Sequence, residues 1–423
     1  MDTAPAPRSP PAGRGRRLWL ALAAALVLLV LAVAWLAQPP RVAGLILDRA
    51  GAALGLEITA GGVSEYSLRG TPTLVVRDLV ARQPGAAWPV LRAGRVYLSL
   101  PWSTLRSRGA DLTVERVELD APRLDLGALQ RWRASRPPSG EVRIPTLTGG
   151  LHVVRGEVIG AGWSVDGIAI SMPSLHPDRA VAGRVAGRFR NGGTTMPFDL
   201  QVALTEVSMA ASLGASGIAT VVTPEWRMPM RPTFSGRLHG GDDGIGLDRF
   251  LLGASARHLS ADRELAFYLG LAGPLRYLDG VFLIDPLGVA LRGAGLVPRM
   301  DAAGRFEWQD GMTLNLEGTL ARWPDAWPSL PAPLDASDAP LAFALDHTGP
   351  ANLSGPTRLR LLRGASTFDA RFHLPDVLAW SSQLDSGNPL PPLDGSFATP
   401  TLEIPGATLH GVEIEFRDAP VDD

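Results

Sequence analysis

Cysteine and lysine are both missing from this 423-residue chain. Without cysteine there is neither a disulfide nor a thiolate metal site, so any exported part must be stable through packing alone. Without lysine, a phosphate-cradling glycine loop of the kind that ends on a lysine is excluded. A surplus of either charge is missing too: the formal net charge is −2 with both signs scattered, and no basic face for nucleic acid results. Histidine is sparse. His152, His176, His239, His258, His347, His373 and His410 stand far apart, and none forms an HExxH or similar ligand spacing. Ser216, in Gly214-Ala215-Ser216-Gly217, misses the G-x-S-x-G elbow by one position. These absences argue against an enzyme, and no cofactor or metal is expected. Gly240 to Gly244, with Asp242 and Asp243, reads as a hairpin turn rather than a calcium loop, because Asp and Gly are what tight turns need and no spaced oxygen set accompanies them.

What is present begins with a run of twenty uncharged residues, Leu18 to Ala37, and no second run of this kind follows. As a helix it measures roughly 30 Å, the thickness of a bilayer's hydrocarbon core. Trp19 and Trp35 stand near its two ends, where interfacial anchors belong. Arg8, Arg14, Arg16 and Arg17 precede it, and only Arg41 and Arg49 follow closely, so the arginine excess keeps residues 1–17 in the cytoplasm and exports the rest. A cleavable signal peptide fits less well. The run exceeds a signal h-region, and Trp35-Leu36-Ala37 puts bulk where a small residue is wanted. Ala21 and Ala25 form a small-xxx-small pair, of little weight in so alanine-rich a helix.

After Pro39-Pro40, Val42, Leu45, Ile46, Ala50, Ala53 and Leu54 fall on one helical face, with Gly55 as the stop. A second helix is expected over Leu126 to Ala134, capped by Asp125. Beyond it the helical signal nearly vanishes and period-two segments take over. Val96/Leu98/Leu100 and Leu112/Val114 alternate with polar neighbours, and Val117/Leu119 resume shifted by one, as a bulge would shift them. Further such segments are Leu314/Leu316, Leu341/Phe343/Leu345, Phe368/Ala370/Phe372/Leu374 and Val412/Ile414/Phe416. Each predicts a strand with one apolar face. Forty-seven glycines and 37 prolines punctuate them.

A one-sided sheet must cover its apolar face, and there are too few helices for that task. The remaining solutions are a sandwich, a sheet curled on itself, or a groove filled by a ligand. The fold class predicted is mainly β: one N-terminal transmembrane helix, then a long bent antiparallel-rich β-sheet, groove-like, with a few short helices. The divisions are a cytoplasmic basic tail (1–17), the transmembrane helix (18–37), a juxtamembrane amphipathic helix (41–55), a periplasmic β-rich domain (56–331) and a C-terminal β-rich continuation (332–423) after the Pro331 to Pro340 stretch.

The succession of elements resembles a known family. It comprises a basic tail, one span, a helix ending in Gly55-Leu-Glu-Ile-Thr59, and then Thr71-Pro-Thr-Leu-Val-Val-Arg-Asp-Leu-Val. Gly94-Arg-Val-Tyr-Leu-Ser-Leu-Pro-Trp and Leu112-Thr-Val-Glu-Arg-Val-Glu-Leu-Asp-Ala-Pro-Arg-Leu-Asp-Leu come next. This is similar to the N-terminal part of the AsmA-like proteins of diderm envelopes, over about the first 130 residues and in texture thereafter. The resemblance implies an inner-membrane-anchored periplasmic protein with a groove-forming sheet, related to bridge-like lipid transfer proteins and linked to phospholipid traffic and outer-membrane integrity. Larger members of that family are much longer. A sheet of roughly 20 to 25 strands at ~4.8 Å each extends about 100 Å.

The candidate lipid-facing residues are Val96, Leu98, Leu100, Leu112, Val114, Phe368, Phe372, Ile414 and Phe416; an ordinary dry core uses the same side chains. Membrane-interface residues are Trp19, Trp35, Arg16 and Arg17. The Trp323-Pro324/Trp327-Pro328 loop is read as folding its rings back on one end of the sheet, with lipid or partner contact as the alternative. The expected partners are the inner membrane through one helix, phospholipid and an envelope protein. A non-enzymatic bitopic scaffold of a secretion or cell-envelope machine is the alternative function.

Overall fold

The computed structural model describes Gly51 and residues 55–67, 70–106, 113–135, 145–208, 211–241, 244–261, 263–309, 311–324, 326–327, 340–350, 354–381, 392–404 and 407–417. The chain is mainly β, and one large sheet dominates it. The tail, the apolar run 18–37 and nearly all of the helix expected over 41–55 lie outside the described residues. Among those that are described, no helix is long and apolar enough to cross a membrane. Gly55 does act as a stop: it sits at φ 58°, and the Leu56 N–H reaches back to the Gly51 carbonyl at 2.8 Å, the 6→1 bond that closes a helix C-terminus.

At its N-terminal end the sheet is built from β1 (Glu57–Thr59), β2 (Gly62–Ser67), β3 (Thr73–Arg82) and β4 (Leu91–Ser99). A short helix, α1 (Trp102–Arg106), then leads to β5 (Thr113–Val114), β6 (Arg116–Asp120) and β7 (Arg123–Asp125). Helix α2 (Leu126–Ala134) has the expected bounds, and the Asp125 carboxylate accepts a hydrogen bond from the Ala128 N–H at 2.7 Å, as an N-cap should. Two strands follow, β8 (Thr146–Leu147) and β9 (Leu151–Ile159). β1 and β2 share one edge of β3, β4 pairs β3, β6 and β7 pair β4, and β9 runs parallel to both β6 and β7.

From β9 onward every strand pairs antiparallel with the next. The series runs β10 (Trp163–Met172), β11 (Val181–Asn191), β12 (Thr194–Leu204), β13 (Ser212–Val222), β14 (Arg227–Gly241) and β15 (Gly244–Leu259). It continues with β16 (Glu264–Leu278), β17 (Val281–Gly293), β18 (Arg299–Trp308) and β19 (Met312–Arg322). Next come β20 (Leu341–Gly349), β21 (Pro356–Arg363), β22 (Ser366–His373), β23 (Asp394–Ile404) and β24 (Ala407–Phe416). β19 pairs β20 directly, so the residues beyond the Pro331–Pro340 stretch continue the same sheet. Gly241 pairs Gly244, so β14 and β15 form a hairpin at this point, as expected.

One expectation needs correction, and one element was not expected. The apolar alternation ending in Leu374 stops one residue earlier, because Leu374 opens α3 (Leu374–Ser381). Pro375 at the first turn and Asp376 beside it are ordinary helix-start chemistry, masked in the sequence by an alternation that runs into them. Helix α1 was not foreseen, since five residues carry too little periodicity to register.

The sheet does not stay flat. Register shifts fall at Ser235/Arg237, Leu247/Phe250, Ala272/Leu275 and Ile284/Leu287, on successive ladders. Together they draw a crease across β14 to β18. Arg249 (φ 52°) and Gly273 (φ 147°) adopt backbone conformations there that a regular strand never uses. Each bulge bends its strand and adds twist, so a row of them folds the sheet along a line.

Candidate functional site

Register assigns each side chain to one of two faces. Phe189, Met196, Val221 and Met228 share one face, as do Phe198, Ala219, Met230, Ala256, Phe267 and Gly293, which oppose one another in one unbroken row. Farther down, Leu252, Leu271, Val289, Ala302, Gly318, Phe343, Leu361, Phe368, Phe397 and Ile414 make a parallel row reaching β24. This inner face is apolar over fourteen strands, β11 to β24. The other face carries charge, arranged in arginine–carboxylate pairs. Examples are Arg184 with Asp199, Arg276 with Asp248 at 2.5 Å, Arg292 with Asp301 at 2.6 Å and Arg358 with Asp369 at 2.5 Å. Exposed pairs of this kind each contribute about 0–1 kcal/mol. They mark the wet side of the sheet more than they stabilise it.

The inner face curls far enough to meet itself. Trp163 at the start of β10 lies 6.0 Å from the Tyr277 ring and 5.9 Å from the Phe282 ring, and Phe189 of β11 lies 5.5 Å from Trp308. Phe282 contacts Tyr277 at 4.5 Å and stacks on Trp308 at 5.6 Å. β10 and β16 are six ladder steps apart, and these rings come from opposite ends of their hairpins. At roughly 20–25° of twist per step, six steps rotate a strand by about 120–150°, enough to bring the start of β10 over the end of β16. The five rings form a clasp between parts of the sheet that no ladder joins. Burial pushes the Tyr277 phenol above its ordinary range.

Burial along the inner face is uneven. Leu341 and Phe397 are fully covered (0 %), and Leu361 and Leu316 are buried with them, in a cluster spanning β15 to β23. A single sheet layer cannot cover its own face, so these residues are covered by the opposite side of the curl. The upper part, with Met196, Phe198, Leu200, Met228, Met230 and Phe267, remains half-buried and stands outside that cluster. Some of the polar groups on this face pair with one another, while His347 Nε2 and the Trp163 and Trp308 ring nitrogens are buried without a hydrogen-bond partner among the described residues. His347 Nδ1 lies 2.8 Å from the Thr357 hydroxyl, and Ser366 Oγ lies 2.9 Å from Thr399 Oγ1. Burial lowers the pKa of His347 and of His258, whose ring packs 5.2 Å from Trp226.

The predicted lipid-facing residues separate into two groups. Val96, Leu98, Leu100 and Val114 belong to a closed core of β3, β4, β6 and β9, where Leu98 and Val114 are fully buried. Leu147, Leu175 and Val207 cover them, and the short parallel β5–β8 ladder holds the lid in place. Protein already occupies the space a lipid would need there. Phe368, Ile414 and Phe416 are half-buried at the edge of the long apolar face, and Phe372 is covered by a smaller cluster that includes Val377 of α3. Leu112, Trp19, Trp35, Arg16 and Arg17 lie outside the described residues.

The tryptophan loop folds back. Trp323 and Trp327 meet edge to face at 4.7 Å, the Trp327 Nε1–H donates to the Leu296 carbonyl at 2.8 Å, and Trp323 packs on the large apolar cluster. Ser216 is an ordinary strand residue opposite Gln201 and Thr233. Among the described residues, no three metal-ligating side chains converge. The clasp and the half-open rows were missed in the sequence, because their residues are hundreds of atoms of chain apart and only accumulated twist unites them. Comparison with protein-family models, with curated proteins and with solved structures finds no match for this chain.

Proposed function

We propose that the chain is a single-span envelope protein, anchored in the inner membrane with its N-terminus cytoplasmic, whose curled sheet holds or guides acyl chains in the service of outer-membrane assembly or lipid homeostasis. One observation carries this reading: an apolar face continuous over fourteen strands, of which the β11–β17 part is left half-open around Phe198, Met230 and Phe267. Water beside such a face is costly, and each CH₂ that replaces it gains roughly 0.8 kcal/mol. The AsmA-like resemblance of the first 130 residues supports the same reading, as does the apolar run at 18–37.

A second reading, a scaffold that holds no lipid, draws support from the fully covered Leu341, Leu361 and Phe397, where the face packs on itself. A photoreactive phenylalanine analogue in the full chain separates the two. Placed at Phe198 on the inner face, it should acquire a lipid-mass adduct in cells, and placed at Gln201 on the outer face it should not. Protein-only or absent adducts at both positions would favour the scaffold.

A further inference from the structure

We infer that a depression on the polar face of β13–β18, opposite the apolar face, is a binding site for a phosphorylated ligand held by Arg231, Arg257, Arg292 and Arg299. The depression encloses about 750 Å³. Its floor is the backbone of the row Ala219, Met230, Ala256, Phe267 and Gly293. The residues immediately before and after each of these point to the other side of the sheet, and it is those that form the walls. A hollow on the apolar side would instead be walled by residues two positions away, such as Leu269 and Met228, and neither lines it.

The walls are chemically one-sided. Among the described residues, four arginines line the depression and no carboxylate does. Glu264 lies 3.5 Å from Arg257, and Asp301 lies 2.6 Å from Arg292, so two of the four charges are offset from outside. Arg231 and Arg299 have no ion-pair partner among the described residues. Elsewhere on this face many arginines stand in pairs with acids, among them Arg184 with Asp199 and Arg358 with Asp369. Guanidinium forks match phosphate oxygens two at a time, and a phosphate carries one to two negative charges, which is what the surplus here would balance.

The register places the groups to act together. Arg231 opposes Ser255, Ser255 opposes Tyr268, and Tyr268 opposes Arg292. Three strand steps separate the two arginines by about 14 Å at the backbone, and long side chains can reach into that gap from either side. Tyr268 is 67 % exposed and Ile218, at the far wall, is 57 % exposed. An exposed ring and an exposed branched aliphatic beside cationic groups suit a ligand with an apolar or ring-shaped body attached to its phosphate. A phospholipid headgroup and a soluble phosphate ester share this chemistry.

The test titrates the full chain, in a neutral detergent at low salt, with inorganic phosphate and with water-soluble dihexanoyl phosphatidylglycerol, by calorimetry. Saturable binding of at least one probe is expected, weakened about tenfold by Arg231→Ala and by Arg299→Ala and further by added salt. Arg360→Gln, on the same face but outside the depression, should leave it unchanged. Binding of the lipid without phosphate assigns a headgroup, and binding of phosphate assigns soluble esters. No saturable binding of either probe overturns the inference, as does binding that survives the Arg231→Ala/Arg299→Ala double variant. Because the two sites lie on opposite faces, lipid binding that survives this double variant but is lost in Phe198→Asp would sink this proposal while leaving the acyl reading in place.

Discussion

Phe282→Ala tests whether the aromatic clasp holds the curl closed. Full burial of a phenylalanine makes its truncation cost 3–5 kcal/mol, and Phe282 is half-buried, so about 2 kcal/mol is expected from lost packing. Its three ring contacts, at 4.5, 5.6 and 5.9 Å, each contribute about 0.5–1.5 kcal/mol, partly overlapping that figure. A local loss of about 2 kcal/mol multiplies the open population roughly 30-fold. The readout is hydrogen exchange on peptides covering residues 159–163 and 278–282. In Phe282→Ala the exchange should accelerate in both, although six ladder steps separate β10 from β16, while the β23–β24 hairpin should not respond. A Trp163→Ala/Phe282→Ala cycle should give a coupling of about 1 kcal/mol. If residues 159–163 exchange at the same rate with and without the Phe282 ring, the two ends of the sheet are not joined in solution and the argument from twist is wrong.

Leu98→Ala, in the closed N-terminal core, should cost about 3–4 kcal/mol in urea unfolding, whereas Leu200→Ala on the half-open face should cost no more than about 1.5 kcal/mol. Equal losses would mean that the two faces are equally dry. Gly304→Ala would put a Cβ 1.8 Å from the Asn315 carbonyl oxygen, so strand β18 must move, and about 3 kcal/mol should be lost; a neutral result in thermal unfolding would show that the strands are spaced more loosely than the register indicates. His347 has a pKa held below the ordinary 6.5 by burial, so below that pH the unfolded chain binds a proton that the folded chain refuses. Its contribution is therefore complete above about pH 6.5 and declines as the pH falls from there through the folded value. His347→Gln should flatten that part of the stability–pH profile, and an unchanged slope would assign the effect elsewhere.

Much of the fold was legible because strand alternation needs only neighbouring residues. The β19, β20 and β24 patterns, the Asp125 cap on α2 and the hairpin at Gly241/Gly244 all follow from local spacing. Leu374 was misread because its alternation with Phe372 was locally perfect and only Pro375 and Asp376 announced the helix. Val96 and Phe368 looked alike as alternating apolar residues. One is sealed under the β5–β8 lid and the other borders the long apolar face, and no local pattern distinguishes them.

By itself, then, the sequence determined which residues alternate, where the turns fall, that one long apolar run precedes the strands, and that no thiol or lysine chemistry is available. Tertiary structure alone decided what covers each apolar face. That depends on how far the sheet rotates across successive strands and where the bulges crease it, quantities that sum over a hundred residues or more. The same summation brings Trp163 to Phe282 and lines up Arg231, Tyr268 and Arg292 on the opposite side, because cross-strand register joins residues that the chain itself keeps far apart.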